Sequence, residues 1–226
     1  MIEGRYERNL IALSEEEQEK LFGTSVCVVG CGGLGGFIIE ILARLGVGTI
    51  TAVDGDVFEE TNLNRQLLSE VELIGEKKAI AAEMRVARIN PQVKLIPVVE
   101  FLDGDNGAEI IKGHDIVIDA LDSPESRIIL NDICAELGLV MIHGAIGGWF
   151  GQLSVIRPGD KTIENLYGGK SESDFKSLGN PSFIPPVIAA MEVSECVKVL
   201  LGKGSSLYGK VLLIDVLENE FEIIEF

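Results

Sequence analysis

The apolar positions of the chain fall into two alternating rhythms. Val26-Cys27-Val28-Val29 is an unbroken apolar run of strand length, the pattern of a strand buried on both faces of a parallel sheet. Leu34, Ile38, Ile41, Leu42 and Leu45 then recur at helical spacing until Gly46 stops the helix. Ile50-Thr51-Ala52-Val53 is a second apolar strand, closing on Asp54. Strand, glycine-rich turn, helix and strand make a βαβ unit of about 30 residues, for which a right-handed crossover is the rule.

The alternation continues downstream. A helix is predicted around Glu76–Ile89, ended by Asn90-Pro91, then strands at Val93–Val98 and Ile116–Asp119 and a helix around Ser126–Leu137. Val140–Ala145 and Gln152–Ile156 lie too close together for a crossover helix, so the sheet is expected to turn antiparallel there. A last long helix begins near Pro185-Pro186, and Val211–Val216 with Phe221–Phe226 form a closing hairpin that turns near Glu218-Asn219. At the other end, Ser14 and Glu17 make a capping box for a short helix through Phe22, with Gly23 as its stop.

These elements predict one α/β domain with a Rossmann-like, mostly parallel sheet and an antiparallel C-terminal part. Residues 1–23 form an N-terminal helical arm, 24–157 a nucleotide-binding core, 158–181 a connection, and 182–226 the C-terminal helix and hairpin. Pro158–Pro181 is polar and too long for an ordinary connection, which favours a functional lid over disorder.

Composition narrows the partners. With 226 residues and 46% hydrophobic content the chain can bury a sizeable core, and no apolar run reaches the roughly 18 residues that would span a membrane. The N-terminus is too polar for a secretory signal, so the cytoplasm is the expected compartment. A formal net charge of −17 argues against a nucleic-acid partner, because phosphate backbones demand clustered lysine and arginine. The cysteines, Cys27, Cys31, Cys134 and Cys196, form no CxxC pair, and His114 and His143 are the only histidines, so no structural zinc site is expected. Isolated thiols fit a reducing compartment.

The chemistry begins at Gly30-Cys31-Gly32-Gly33-Leu34-Gly35-Gly36, with the spacing GxGxxG at Gly30, Gly32 and Gly35. Between a strand and a helix, such a turn lets backbone N–H groups approach a phosphate while the helix N-terminus favours negative charge. Asp54 follows Gly35 by 19 residues at the end of the second strand, where a carboxylate can accept hydrogen bonds from a ribose. The motif alone leaves NAD, FAD and ATP open. Arg65 and Lys78 favour a triphosphate, since a guanidinium grips phosphate oxygens bidentately and an ammonium approaches as a compact charge; taken alone, each is also ordinary surface charge. Asp122 lies just beyond a strand, at the carboxyl edge where open α/β sheets bind ligands. It reads both as a holder of Mg²⁺ and as a helix N-cap. His143 is expected in a structural hydrogen bond, Trp149 and Phe150 in packing, and Cys196 as a buried thiol.

Arg5-Tyr6-x-Arg8-Asn9, Gly30-x-Gly32-Gly33-Leu34-Gly35, Asp54-x-Asp56 and Asn62-Leu63-x-Arg65-Gln66 occur in this order. Gly75-x-x-Lys78, Asn90-Pro91 and Asp119-x-x-Asp122 continue it, with Arg127, Asn131 and the Ala190-Met191-Glu192-x-x-Glu195-x-x-Lys198 helix. The whole set resembles the MoeB/ThiF/HesA family, whose fold is E1-like. The resemblance implies adenylation, with ATP and Mg²⁺, of the terminal carboxylate of a small ubiquitin-like carrier protein ending in Gly-Gly. It implies Asp54 at the ribose, with Asn62, Arg65 and Lys78 at the phosphates. Gly30, Gly32, Gly33, Gly35, Asp56, Gln66 and Ser123 complete the expected nucleotide site, and Asp122 would serve the Mg²⁺ and the adenylation step. It further implies a homodimer in which Arg5 reaches the partner's site, and a crossover loop at Pro158–Pro181.

Two departures stand out. Many such proteins carry two CxxC pairs for zinc, absent here, and some place a cysteine in the crossover loop, where this chain has none. Activity is therefore expected to stop at the adenylate or to pass it to a separate sulfur donor. The alternatives are a tRNA threonylcarbamoyladenosine dehydratase, which activates a carboxylate on tRNA, and a nucleotide-binding scaffold without chemistry. An NAD-dependent oxidoreductase would leave Arg65, Lys78 and Asp122 unexplained.

Overall fold

The computed structural model describes residues 2–169 and 178–225. Its centre is an eight-stranded sheet: β1 (Ser25–Val29), β2 (Thr49–Val53), β3 (Lys94–Val98), β4 (Ile116–Asp119), β5 (Met141–Gly147), β6 (Phe150–Ile156), β7 (Lys210–Asp215) and β8 (Glu220–Glu225). The spatial order is β3-β2-β1-β4-β5-β6-β7-β8. Strands β1 to β5 pair in parallel. From β5 onward every pairing is antiparallel, starting with the β5–β6 hairpin expected from its short connection.

Helices cover both faces of the parallel part. On one side α2 (Gly33–Leu45), α3 (Lys78–Ile89) and α7 (Ile184–Leu200) bury Leu34, Ile38, Leu42, Ala82, Ile188 and Val193 against Val26, Val28, Ile116 and Ile118. On the other, α4 (Gly107–Ile111), α5 (Pro124–Leu137) and α6 (Thr162–Tyr167) bury Ile111, Leu130, Ile133 and Ile163 against Cys27, Val29 and Val117. Neighbouring residues of β1 thus point into different cores, which is why its sequence is apolar without alternation. The arm helix α1 (Glu15–Phe22) carries the Ser14/Glu17 capping box and ends at Gly23, as the sequence indicates.

Two features depart from the sequence reading. Helix α4 arises in a stretch with no clear helical period, and α6 occupies part of the segment 158–181 that reads as a polar connection. Buried Ile163 and Tyr167 hold α6 in the second core, so this portion is packed structure rather than open loop. Residues 170–177 of the expected lid lie outside the described residues.

The reversal of strand order between β1 and β4 opens a crevice at the carboxyl ends of those strands. The helix α2 that begins there is anchored by fully buried Leu42. Leu42→Ala should lower stability by about 2–5 kcal/mol. The corresponding drop in the urea midpoint, at unchanged m-value, checks it.

Candidate active site

The glycine turn is made by steric necessity. Gly30 has φ of +101°, and a Cβ there would lie 2.5 Å from the Ala120 carbonyl oxygen. A Cβ on Gly35 would come within 1.8 Å of the Gly30 carbonyl oxygen. The chain after β1 therefore runs hard against the chain after β4, and α2 starts close behind it. Gly32 is the N-cap of α2 and provides no side-chain cap, so the first-turn N–H groups have no side-chain acceptor there.

Asp54 fastens this turn to the end of β2. Its Oδ2 accepts the Cys31 N–H at 2.7 Å and its Oδ1 accepts the Asp56 N–H at 2.8 Å. Each oxygen keeps a second lone pair for a ribose hydroxyl. Lys78, at the start of α3, is 7% exposed and meets Asp56 Oδ2 at 3.1 Å, so it is no ordinary surface lysine. Gln66 is buried beside the turn, with its Nε2 3.5 Å from where a Gly32 side chain would stand. Its Oε1 has no hydrogen-bond partner, a costly state that a donor on a ligand would relieve. A glycine cradle, a buried ammonium and an orphaned amide oxygen suit a nucleotide phosphate and sugar.

Asn62 is buried, with Oδ1 taking the Glu59 N–H at 3.0 Å. Arg65 bonds the Thr61 carbonyl at 2.9 Å and Asn64 Oδ1 at 2.8 Å, on the same segment but turned to its own loop. Asp122 is exposed beyond β4, and Ser123, rather than Asp122, caps α5 by accepting the Ser126 N–H at 3.1 Å. The carboxylate of Asp122 is therefore not spent on capping. Arg5 lies elsewhere: its guanidinium donates to Asn90 Oδ1 at 2.7 Å, and Asn90 in turn bonds the Ala43 carbonyl near the far end of α2. That is roughly 16 Å along the helix from the glycine turn. Arg5 does not enter the site of its own chain, whereas exposed Arg8 forms no ion pair among the described residues.

Beside the nucleotide crevice runs a groove of about 450 Å³. Ile146, Phe150, Leu178 and Leu213 supply apolar walls, and Asp122, Arg127, Gln152 and Tyr167 line its polar part. Phe150 is about half exposed and faces this groove instead of the core, and Trp149 stacks on Phe183 with centroids 4.5 Å apart.

Under the groove is a polar network that contains the hydrogen bond expected of His143 and adds partners from other elements. Asp119 Oδ2 takes His143 Nδ1 at 2.7 Å and Asp119 Oδ1 takes the Leu121 N–H at 3.0 Å. The Tyr167 hydroxyl meets Arg127, Gln152 Nε2 at 2.6 Å and His143 Nε2 at 3.2 Å. Arg127 also donates to the Leu121 carbonyl, so both polar backbone groups of Leu121 are held next to Asp122. Burial pushes His143 down despite its bond to Asp119, keeping the ring neutral, and pushes the Tyr167 hydroxyl up to about 12. Burial opposes charge on Arg127, but Asp119 and Tyr167 outweigh it and raise its pKa. All four cysteines are buried; burial also raises the thiols of Cys27, Cys31, Cys134 and Cys196, which suits packing rather than nucleophilic chemistry.

Fold and site define a Rossmann-type nucleotide-binding protein with a second groove that reaches Asp122, beside the glycine turn. The ThiF family model matches residues 6–226, and the chain belongs to that family. It is 34% identical over 98% of its length to the SAMP-activating enzyme E1 of Haloferax volcanii, covering 84% of that protein. It is 35% identical to the sulfur carrier protein adenylyltransferase of Thermus thermophilus, over 96% of this chain and 84% of that one. The solved Escherichia coli tRNA N6-threonylcarbamoyladenosine dehydratase is 25% identical with a TM-score of 0.76, over 88% of this chain and 95% of the other.

Glu192 of α7 lies behind the network, fully buried, with both carboxyl oxygens unpartnered and packed where a Gly144 side chain would be. Burial, reinforced by Asp119 and offset by Arg127, raises its pKa well above 4.5. A raised native pKa means that the folded state binds the extra proton, so stability is full below about 4.5 and declines as pH rises toward the native value. Glu192→Gln cannot ionise. Its urea midpoint relative to the parent should be flat in acid and improve as the pH rises above about 5; a pH-independent difference would show an ordinary carboxylate.

Proposed function

We propose that this chain is a nucleotidyltransferase that uses ATP to adenylate the C-terminal glycine carboxylate of a small ubiquitin-like sulfur-carrier protein. The observation that carries this reading is the convergence of two sites: the Gly30–Gly35 cradle with Asp54 and Lys78, and a groove that reaches Asp122. Two relatives matched over nearly the whole chain are named for activating such carriers.

In the reaction a carboxylate oxygen forms a bond to the α-phosphorus, the bond to the β-phosphate oxygen breaks, and pyrophosphate departs. No thiol or general base is required. The cradle N–H groups, Asn62, Arg65 and Lys78 hold the phosphates and offset the charge of bringing an anion to a triphosphate. Asp54 and Gln66 take the sugar. Asp122 would hold Mg²⁺, which when bound neutralises phosphate charge. Asp119 and Arg127 position Asp122 by fixing Leu121. The four thiols are buried, so a separate sulfur donor would consume the adenylate.

A tRNA substrate is disfavoured by the acidic balance of the chain and by the carboxylates that line its groove. No helix among the described residues is long and apolar enough to cross a membrane, and we place the reaction in the cytoplasm.

ATP–pyrophosphate exchange should appear with Mg²⁺ and a carrier ending in Gly-Gly, and vanish when the last glycine is removed. Asp122→Asn and Lys78→Ala should each reduce exchange by about 10²–10³-fold without loss of folding. Exchange with free amino acids, or none with any such carrier, would sink the reading, the second outcome favouring a scaffold.

The protein acts as a homodimer in this reading, with the arm completing the second site. Because Arg5 is tied to Asn90, Arg8 joins it as a candidate for that role. Each arginine changed to Ala would be mixed with Asp122→Ala after proven subunit exchange. A residue acting in trans restores about one quarter of the sites, since half the dimers are mixed and each has one intact site. A residue acting within its own chain restores none.

A further inference from the structure

The groove is polarised. Arg127 is the single cation among the described residues lining it; it is 6% exposed, and its Nε has no hydrogen-bond partner among them. At the other end stand Asp215, Glu220 and Glu222. None of the three forms an ion pair among the described residues, although Asp215 Oδ1 accepts the Leu217 N–H at the hairpin turn.

Strand register explains their grouping. One row across the sheet runs Gly147, Phe150, Asp215, Glu220, and the next runs Ala145, Gln152, Leu213, Glu222. A Cβ on Gly151 would strike Ile188 of α7, so the alternate residues Phe150 and Gln152 face away from α7, into the groove. Asp215 and Glu220 are thus like charges directly opposite one another, an unfavourable pairing that an added cation would relieve. Charge on an edge strand also guards against unwanted pairing, but that purpose does not require three equal signs at the end of an apolar floor.

We propose that the groove selects its protein substrate by charge at two ends: the terminal carboxylate beside Arg127, and a lysine or arginine upstream beside Asp215, Glu220 and Glu222. This deepens the adenylation reading and rests on it. Strands lie about 4.8 Å apart, so the way from the end of β4 to β7 or β8 is roughly 14–19 Å. An extended tail advances about 3.4 Å per residue, which places the basic side chain on the order of four to six residues before the terminus. The occupant is a thin peptide, negative at its end and positive further back, entering an acidic protein along a polarised groove. Nucleic acid, negative throughout, meets repulsion at the outer end.

The test uses two fluorescein-labelled decapeptides ending in Gly-Gly, identical except for Lys or Glu at the fifth residue from the end. Binding is read by anisotropy with the full chain at low salt. The Lys peptide should bind about fivefold more tightly, with the preference shrinking at about 0.5 M salt. It should reverse in the Glu220→Lys/Glu222→Lys variant, whose changes lie on an exposed edge strand. Equal binding, undetectable binding of both peptides, or a preference unchanged in the variant would each overturn the proposal. Pyrophosphate exchange with a Gly-Gly carrier separates the two readings. Exchange without peptide discrimination leaves adenylation standing and rejects charge selection. Discrimination without exchange rejects adenylation and leaves a polarised peptide groove.

Discussion

The active edge depends on one close approach: the backbone after β1 passing the backbone after β4 at Gly30 and Ala120. No side chain fits between them at Gly30, and the Gly30 carbonyl leaves none at Gly35. Because these two turns touch, the nucleotide cradle and the segment carrying Asp122 share a frame. Asp54 extends that frame to β2 through Cys31 and Asp56, and the Lys78 N–H donates to the Asp56 carbonyl, which brings in α3. A displacement of any of these elements would be felt at the others. That rigidity is what positioning catalysis requires, since the groups involved do little except hold charge in place.

The second constraint is electrostatic. A strongly acidic chain must receive a triphosphate and a carboxylate, so its cations have to be fixed locally rather than supplied by the general field. Lys78 is held by burial and Asp56, and Arg127 by Asp119, Tyr167 and the Leu121 carbonyl. His143 stays neutral between Asp119 and Tyr167, which fits an orienting role. Burial holds the Glu192 carboxyl behind them well above the usual carboxylate range, which opposes negative charge there. The result is a small set of oriented, buried cations, each of which counts for more than at the surface.

Much of this was legible in the sequence because it rests on backbone geometry. The glycine spacing, the apolar runs of β1 and β2 and the short β5–β6 connection each have a direct steric or periodic cause, and the structure follows them. The side-chain network had no such signature. Arg127, Gln152 and Tyr167 lie on α5, β6 and α6, and nothing local in their surroundings says that they meet. Tyr167 is hidden further by a stretch whose composition reads as a connection, because Ile163 and Tyr167 are too few to establish a period. The hints were Asp119, a carboxylate closing an otherwise apolar strand, and His143, expected in a structural hydrogen bond. The N-cap offers a smaller example: Asp122 and Ser123 are equally plausible by residue type, and only the geometry gives the bond to Ser123.

In the adenylation reading the antiparallel extension gives the nucleotide core its second ligand surface. A purely parallel doubly wound sheet has helices over both faces, which leaves binding to the crevice at its carboxyl edge. Here β6, β7 and β8 carry the sheet past α5 and α6, and one face of the extension becomes the floor of the groove. Its alternation then divides the work: Leu212 and Ile214 turn toward the core with α7, while Leu213 and Asp215 turn to the groove. Because the extension is hydrogen-bonded to β5, which pairs with β4, the floor is in fixed register with Asp119 and so with Asp122. A chain lying across that floor is therefore measured from the reaction centre by strand spacing. The sheet that holds the nucleotide also sets how far back along a bound tail each side chain is read.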